Sequence, residues 1–506
     1  MKRRDWLFAA LGAVLLVAGT HLIRTHRVPA RELALDEACR TPVLVQEPLH
    51  SAPIGAAVVF HGLSANRRLM QTPGQWFAAA GLRVFLVDLP GHGDSTEPFS
   101  LGRAEQCGAA ILESLARRGE INPQRTVLAG HSMGGTIAIR LADRFPALAT
   151  IAISPGPANL PRRMPSNLLL VSAQFDMPLL RTAARNYFRA AGGERTAAAD
   201  FLERRAAKLD GLAHATHVSL LYDPRVKRAS ADWARRALQE KPLSPLPPAA
   251  TAALGSIIGL AGILFLLPLG ASALARAFGA TPTSSPSLRL ESAARLLARW
   301  TLAGLLAVGV LNFWVPLRGL HLMTGDYLAS FLLIGALVLV LLMGKEVRGC
   351  MRPDGRPMAV ASALGLAVVL GCGAWLNWEL TDTWMNAARW LRFVPLVLLC
   401  LPYCCVEELA LGPPGESPAS QPGRPRRFLL FVALRGVLWL ALLFGLFALH
   451  SGQILLFLLM LYMLSFSIIA RWGADLMWRR TGSAAGAAVF SAILAAWFLA
   501  AVYPLT

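Results

Sequence analysis

Charge is scarce in this chain, and acidic charge scarcest: 30 Asp and Glu stand against 49 Lys and Arg, together 16% of 506 residues. So small a share, beside 55% hydrophobic residues, points to membrane spans. The formal charge of +19 would suit nucleic acid. No basic stripe with interleaved aromatics and no recognition motif accompanies it, so no nucleic-acid partner is expected. Cysteine is sparse as well, and none of the seven sits at the spacing of a zinc site; no metal or other cofactor is expected. Cys350, Cys372, Cys400, Cys404 and Cys405 lie in or beside apolar segments. Cys39 and Cys107 could pair in an oxidising compartment, although two unpaired buried thiols are the preferred expectation.

The apolar residues are unevenly spread. Residues 24–241 mix charges with strand and helix periodicities, whereas the chain from Thr251 onward is a series of runs as long as a bilayer core. Four units follow: an N-terminal signal anchor over 1–25, a soluble domain over 38–241, a proline-rich linker over 242–250, and a membrane domain over 251–506. The anchor has the basic start Lys2-Arg3-Arg4 and an apolar run over 6–23, without an evident cleavage site. Eight spans are expected after the linker, at 251–275, 296–317, 326–344, 358–376, 391–411, 428–449, 452–470 and 483–503. Arginine and lysine gather in alternate loops (Arg276, Arg289, Arg295; Lys345, Arg348, Arg352, Arg356; Arg424, Arg426, Arg427; Arg471, Arg479, Arg480). The intervening loops hold only Arg318, Arg389 and Arg392. The positive-inside rule then puts the soluble domain outside the cytoplasm. An integral protein of a bacterial inner membrane, with that domain in the periplasm, is the expectation.

Within the soluble half, residues 56–61, 84–87, 126–129 and 168–173 read as short buried strands. The third runs into Gly130-His131-Ser132-Met133-Gly134, and helical spacing resumes over 136–144. Strand, sharp turn and helix are what a G-x-S-x-G motif requires, because side chains beside the serine would collide with strand and helix.

Together with His61-Gly62-Leu63-Ser64-Ala65-Asn66 and Asp88-Leu89-Pro90-Gly91-His92-Gly93-Asp94-Ser95, this motif resembles the α/β-hydrolase superfamily, particularly its esterases, lysophospholipases and serine-aminopeptidase-like members. The resemblance covers about residues 40–240. It implies a mostly parallel sheet flanked by helices, followed here by an all-α polytopic domain. It also implies a triad in the order Ser132, Asp176, His217, with oxyanion donors at the backbone N–H groups of Leu63 and Met133. His214 is the weaker candidate for the base; His61, His92 and His131 read as structural. The short proline-bearing loop over 154–167 leaves no room for the helical lid of many relatives. The activity implied is hydrolysis of carboxylic esters, including acyl lipids or lysolipids, with membrane lipids as neighbours. A peptidase or amidase would use the same triad, and a transporter or scaffold with an accessory hydrolase-like domain is the remaining alternative.

Two features of the membrane half stand out. Glu407-Glu408 resembles the paired glutamates of CAAX-type intramembrane proteases, but Gly412 replaces that family's arginine and its histidine motifs are missing; solvated interfacial glutamates are expected. Trp375, Trp378, Trp384 and Trp390 read as an aromatic belt in an outer loop, with admission of a lipid-like substrate as the sharper alternative.

Overall fold

The computed structural model describes residues 3–35, 39–48, 52–241, 248, 250–281, 292–350, 355–412 and 424–506. Most of the expected linker, with Arg289 and Arg352, lies outside the described residues, as do the side chains of Lys345, Arg348, Arg424 and Arg426.

Eight strands form one sheet: β1 (Ala30–Leu35), β2 (Thr41–Gln46), β3 (Gly55–Phe60), β4 (Leu82–Val87), β5 (Thr126–His131), β6 (Ala149–Ile153), β7 (Leu168–Ala173) and β8 (Ala207–Leu212). Their order is β1-β2-β4-β3-β5-β6-β7-β8. β3 to β8 run parallel, while the β1–β2 hairpin joins β4 antiparallel. The flanking helices are α2 (Gln71–Ala79), α3 (Leu101–Arg117), α4 (Met133–Arg140), α5 (Pro178–Ala190), α6 (Ala198–Leu202) and α7 (Pro224–Ala237), with α1 (Arg3–His26) ahead of the sheet.

The central strands are apolar on both faces because helices cover both. In β3, Ala57 and Val59 join Trp76, Phe77 and Trp233 in one core, while Val58 and Phe60 join Ile111, Leu112 and Ile137 in the other. The period-2 alternation of a strand thus feeds two layers. The compact unit built on this sheet gathers residues 15–260, 374–384 and 504–506. It is the mostly parallel sheet flanked by helices that the motifs implied.

Cys39 and Cys107 are joined by a disulfide, contrary to the preferred expectation of free thiols. The turn between β1 and β2 delivers Cys39 to the buried face of α3, which brings the two Cα atoms to 5.7 Å. Two strands that no motif marks set this proximity.

The second unit, residues 1–14, 261–373 and 385–503, is helical. The long helices are α8 (Thr251–Ala277), α9 (Ala293–Phe313), α10 (Gly325–Cys350), α11 (Gly355–Glu379), α12 (Ala387–Leu411), α13 (Arg424–Phe447), α14 (Ile454–Thr481) and α15 (Ala484–Val502). Among the described residues eight helices, α1 included, are long and apolar enough to cross a membrane, and nine when the bent α14 is counted as one span. Each expected span overlaps a long helix, the seventh falling across the bend of α14, which continues to Thr481. The region expected as an outer tryptophan loop is shorter: α11 carries Trp375 and Trp378, and α12 carries Trp390.

Glu407 and Glu408 are buried and paired rather than solvated. Arg435 meets Glu407 at 2.8 Å, and Arg471 holds both oxygens of Glu408 at 2.6 and 2.9 Å. Arg427, expected as a loop charge, is buried between Asp475 and the carbonyls of Leu411 and Gly412. Arg389 caps α15 by donating to the carbonyls of Ala500 and Tyr503. Several arginines expected in loops therefore brace the helices.

Candidate active site

The local fold at Ser132 follows from its neighbours. A Cβ on Gly130 would overlap the carbonyl of Gly134, and one on Gly134 would overlap the carbonyl of Phe60. With both positions free of side chains, β5 turns directly into α4 through Ser132, which adopts φ 55° and ψ −119°. A non-glycine residue at positive φ is strained, and such strain persists only where the surroundings enforce it. Here the N–H of Ser132 donates to Ile153 at 2.8 Å, fixing the turn to β6. The helix begins at Met133, three residues earlier than periodicity indicates, so the N–H of Met133 belongs to the first turn, whose donors have no partner within the helix.

The remaining sequence-predicted residues also lie at the C-terminal ends of strands. Leu63 follows β3, Asp176 follows β7 and His217 follows β8. Gly62 packs against the turn: a Cβ there would lie 3.1 Å from the Cβ of Ser132. Among the described residues the N–H of Leu63 donates to no acceptor, whereas its neighbour Ser64 donates to Nε2 of His92 at 3.1 Å. The structure brings His217 Nδ1 to 3.0 Å from Asp176 Oδ1. His214 is exposed, and only its backbone N–H is engaged, by Gln174. Of the two candidate histidines, His217 is the one that faces Asp176.

The electrostatics are those of a preorganised pair. Burial works against the Asp176 carboxylate, but hydrogen bonds from His217, Ser154 and the N–H of Met177 outweigh it and hold the group below its ordinary value. With Nδ1–H directed at Asp176, Nε2 of His217 is left with the basic lone pair. His131, by contrast, is driven down to about 3 by burial and by the nearby His217, so it stays neutral. Its Nε2 reaches the His217 carbonyl at 3.0 Å, and the two ring centroids lie 4.5 Å apart, which braces His217. His61 bridges Gly62 O and the N–H of Leu89, and His92 bridges Pro90 O and the N–H of Ser64. These two rings brace the loops after β3 and β4.

Two groups escape sequence reasoning. Ser154, buried and at φ 50°, donates to Asp176 Oδ2 and lies 3.2 Å from His217 Nδ1. Nothing in Ser154-Pro155 signals this, because the contact depends on where β6 ends relative to β7. Ser154→Ala should lower turnover on the order of tenfold through loss of a hydrogen bond to a charged group. KM should change little; steady-state kinetics of the native and substituted proteins decide.

The second is the segment 374–384. Asn66 Nδ2 donates to Thr381 at 3.1 Å, its Oδ1 accepts from the N–H of Asp382, and Gln75 and Arg27 both engage Glu379. The loop that carries Leu63 is thus tied to a segment over 300 residues away in sequence. Behind it Asp88, Asp94 and Asp382 have carboxylate oxygens within 4.8 Å of one another. Arg67 lies among them, paired to Asp88, at 2.8 Å from Asp94 and 4.0 Å from Asp382, so an ion-pair knot already supplies the cation.

Burial, with Asp94 and Asp88 close by, pushes the Asp382 carboxyl up to about 7. The folded protein therefore holds a proton that the unfolded chain releases near pH 4, and stability should fall as pH rises from about 4 to about 7. Asp382→Asn should flatten that fall, as denaturant titrations at pH 5 and pH 8 will record. No helix interrupts the loop over 154–167, which gives no lid there.

Residues 57–501 match the sequence model of a family described as the alpha/beta hydrolase family. A pimeloyl-[acyl-carrier protein] methyl ester esterase from Nitrosospira multiformis is 43% identical over 70 residues, 14% of this chain and 26% of that protein. A protein named as a non-heme haloperoxidase, from Mycobacterium phage D29, is 32% identical over 100 residues, 20% of this chain and 35% of that one. The chain thus spans only about a quarter to a third of the curated relatives it matches. Among solved structures, a serine hydrolase without a lid from Xanthomonas campestris is 18% identical, with a TM-score of 0.34, covering 42% of this chain and 94% of that one. A hyperthermophilic esterase from Pyrobaculum calidifontis is 14% identical, with a TM-score of 0.33, covering 46% of this chain and 92% of that one.

Proposed function

The chain belongs to the α/β-hydrolase family, and on that premise we propose that it is a membrane-anchored serine hydrolase cleaving carboxylic esters. The observation that carries this reading is the strained serine turn, forced by glycines on both sides, at the sheet edge that also holds the Asp176–His217 pair.

The chemistry follows from the atoms. Nε2 of His217 accepts the Ser132 hydroxyl proton as Oγ attacks the ester carbonyl. The N–H groups of Leu63 and Met133 receive the oxyanion, each worth about 3–4 kcal/mol in comparable sites. Asp176 holds the imidazole tautomer and stabilises the imidazolium. That proton then passes to the departing alkoxide, leaving an acyl-serine. A water activated by the same nitrogen hydrolyses it and restores Ser132. The short loop over 154–167 favours an open pocket, and the curated relative named as an esterase favours esters over amides.

Three features support attachment to a membrane with the catalytic half outside the cytoplasm. The helices are long and apolar. α1 packs closely on α8, where a Cβ on Gly12 would meet Gly262 O at 2.8 Å and one on Gly19 would meet Gly259 N at 2.7 Å, which supports an anchor that stays with the chain. The Cys39–Cys107 bond fits an oxidising compartment.

A fluorophosphonate probe tests the enzyme reading. Labelling of the native protein at Ser132, abolished by heat unfolding, is expected; native protein that takes up no label ends the proposal. A reporter active only outside the cytoplasm, fused near Lys241, tests the orientation, and a silent fusion reverses it.

A further inference from the structure

A strained backbone persists only where its surroundings hold it, and the loop that carries Leu63 is strained right beside its free donor. Ser64, the next residue, sits at φ 59°. Upstream the loop leaves β3 through His61, whose Nε2 accepts from the N–H of Leu89 at 2.9 Å. At its apex the N–H of Ser64 donates to His92. Its downstream end rests on Asn66 and Arg67, both buried. Arg67 is tied to Asp88 by its backbone N–H at 2.7 Å and by its guanidinium.

Asn66 is held differently. Its Oδ1 accepts from the N–H groups of Arg68 and Leu69, a turn that the loop supplies by itself. The same oxygen accepts from the N–H of Asp382 at 3.1 Å, and Nδ2 donates to Thr381 Oγ1 at 3.1 Å. Half of this carboxamide's partners thus come from segment 374–384, the end of α11 and the turn after it, which belongs to the sheet-bearing unit. Gln71 and Gln75 continue the seam by donating to the carbonyl of Trp378 and to Glu379. A buried carboxamide deprived of two partners must turn to find others, and the loop would turn with it.

We infer that segment 374–384 completes the oxyanion hole: Thr381 and the N–H of Asp382 lock Asn66, the positioning residue that keeps the N–H of Leu63 aimed. This rests on the serine-hydrolase reading above. Asn66 touches no reacting atom and acts through the three residues that separate it from the donor. An oxyanion donor is effective because it is oriented before the charge develops. A loop free to relax must reorganise at the transition state and not on binding the ester, so the loss falls on kcat and spares KM.

The test uses the full chain in phosphatidylcholine nanodiscs, with turnover of a chromogenic butyrate ester and the rate of fluorophosphonate labelling as readouts. Asn66→Ala should lower kcat by about 30- to 300-fold, approaching the loss of one oxyanion donor, with KM within about twofold. Thr381→Val, which replaces the hydroxyl by a methyl, should lower kcat by about tenfold, and Thr381→Ser should restore it. Labelling of Ser132 should slow in the same order, because phosphonylation places an oxygen in the same hole. The double variant should lose little more than Asn66→Ala alone, since both changes break one contact. Should Asn66→Ala fail to fold, Thr381→Val and Thr381→Ser decide. A lowered melting temperature with kcat and labelling unchanged would reduce the seam to a stability device and overturn the inference, as would a loss carried by KM. Native protein that takes up no label at Ser132 ends the hydrolase reading and this inference with it.

Discussion

Replacing Ser132 by alanine is expected to lower ester turnover by on the order of 10⁴- to 10⁶-fold, the range seen when a triad loses its nucleophile. Turnover of a chromogenic ester by purified protein measures it, with thermal unfolding alongside as a control. The melting temperature should barely move, because Ser132 is held by its backbone: its N–H donates to Ile153 and its carbonyl accepts from Thr136. Alanine at φ 55° carries the same strain as serine, so the variant isolates the hydroxyl. His217→Gln should approach the same loss, since a triad without its base leaves Ser132 no place for its proton, and the two losses should not add. A Ser132→Ala protein that keeps its rate within tenfold would remove Ser132 from the mechanism and leave the fold without its proposed chemistry.

The second large effect concerns stability. Converting Cys39 and Cys107 together to serine should lower the unfolding free energy of the sheet-bearing unit by about 4 kcal/mol, the chain-entropy value for a loop closed over 68 residues. Denaturant titrations of the native and doubly substituted proteins provide the comparison, and reductant should bring the native protein to the variant's midpoint. Serine is nearly the size of cysteine and leaves the surrounding packing in place. The effect therefore acts mainly through the unfolded chain, which regains the freedom of the enclosed segment. Identical midpoints would mean that the two thiols are not joined in the purified protein.

These outcomes rest on features of unequal visibility in the sequence. β3, β4, β5 and β7 are readable because central parallel strands are apolar on both faces and short. The serine turn is readable because the glycines at 130 and 134 answer a steric demand that is local. Asp176 is expected from chain order and from its place after the apolar run 168–173, and His217 from chain order and from the apolar stretch 218–221 that it precedes. The hairpin β1–β2 is harder: Ala30–Leu35 contains Arg31 and Glu32, as an edge strand tolerates, and so does not stand out. The disulfide is hidden with it. Ser154 is invisible because its hydroxyl gains its role from the register of three strands. The burial of Glu407 and Glu408 depends on arginines 28 and 63 residues further on, a separation that no short motif spans.

The path of the backbone also sets a timetable for making the protein. Leu505 pairs with the loop after β4, its N–H donating to Gly91 and its carbonyl accepting from Phe99, and a Cβ on Gly91 would occupy the space that this carbonyl takes. Asn66 and Gln75 likewise await Thr381 and Glu379. At the usual pace of synthesis, roughly 15–50 s separate the emergence of Lys241 from that of Leu505. Throughout that interval Ser132, Asp176 and His217 are already outside the ribosome, yet the loops after β3 and β4 lack their final partners. The loops after β3 and β4 would therefore be locked last, so that a nascent or truncated chain ending near Lys241 carries Ser132, Asp176 and His217 in an unlocked frame.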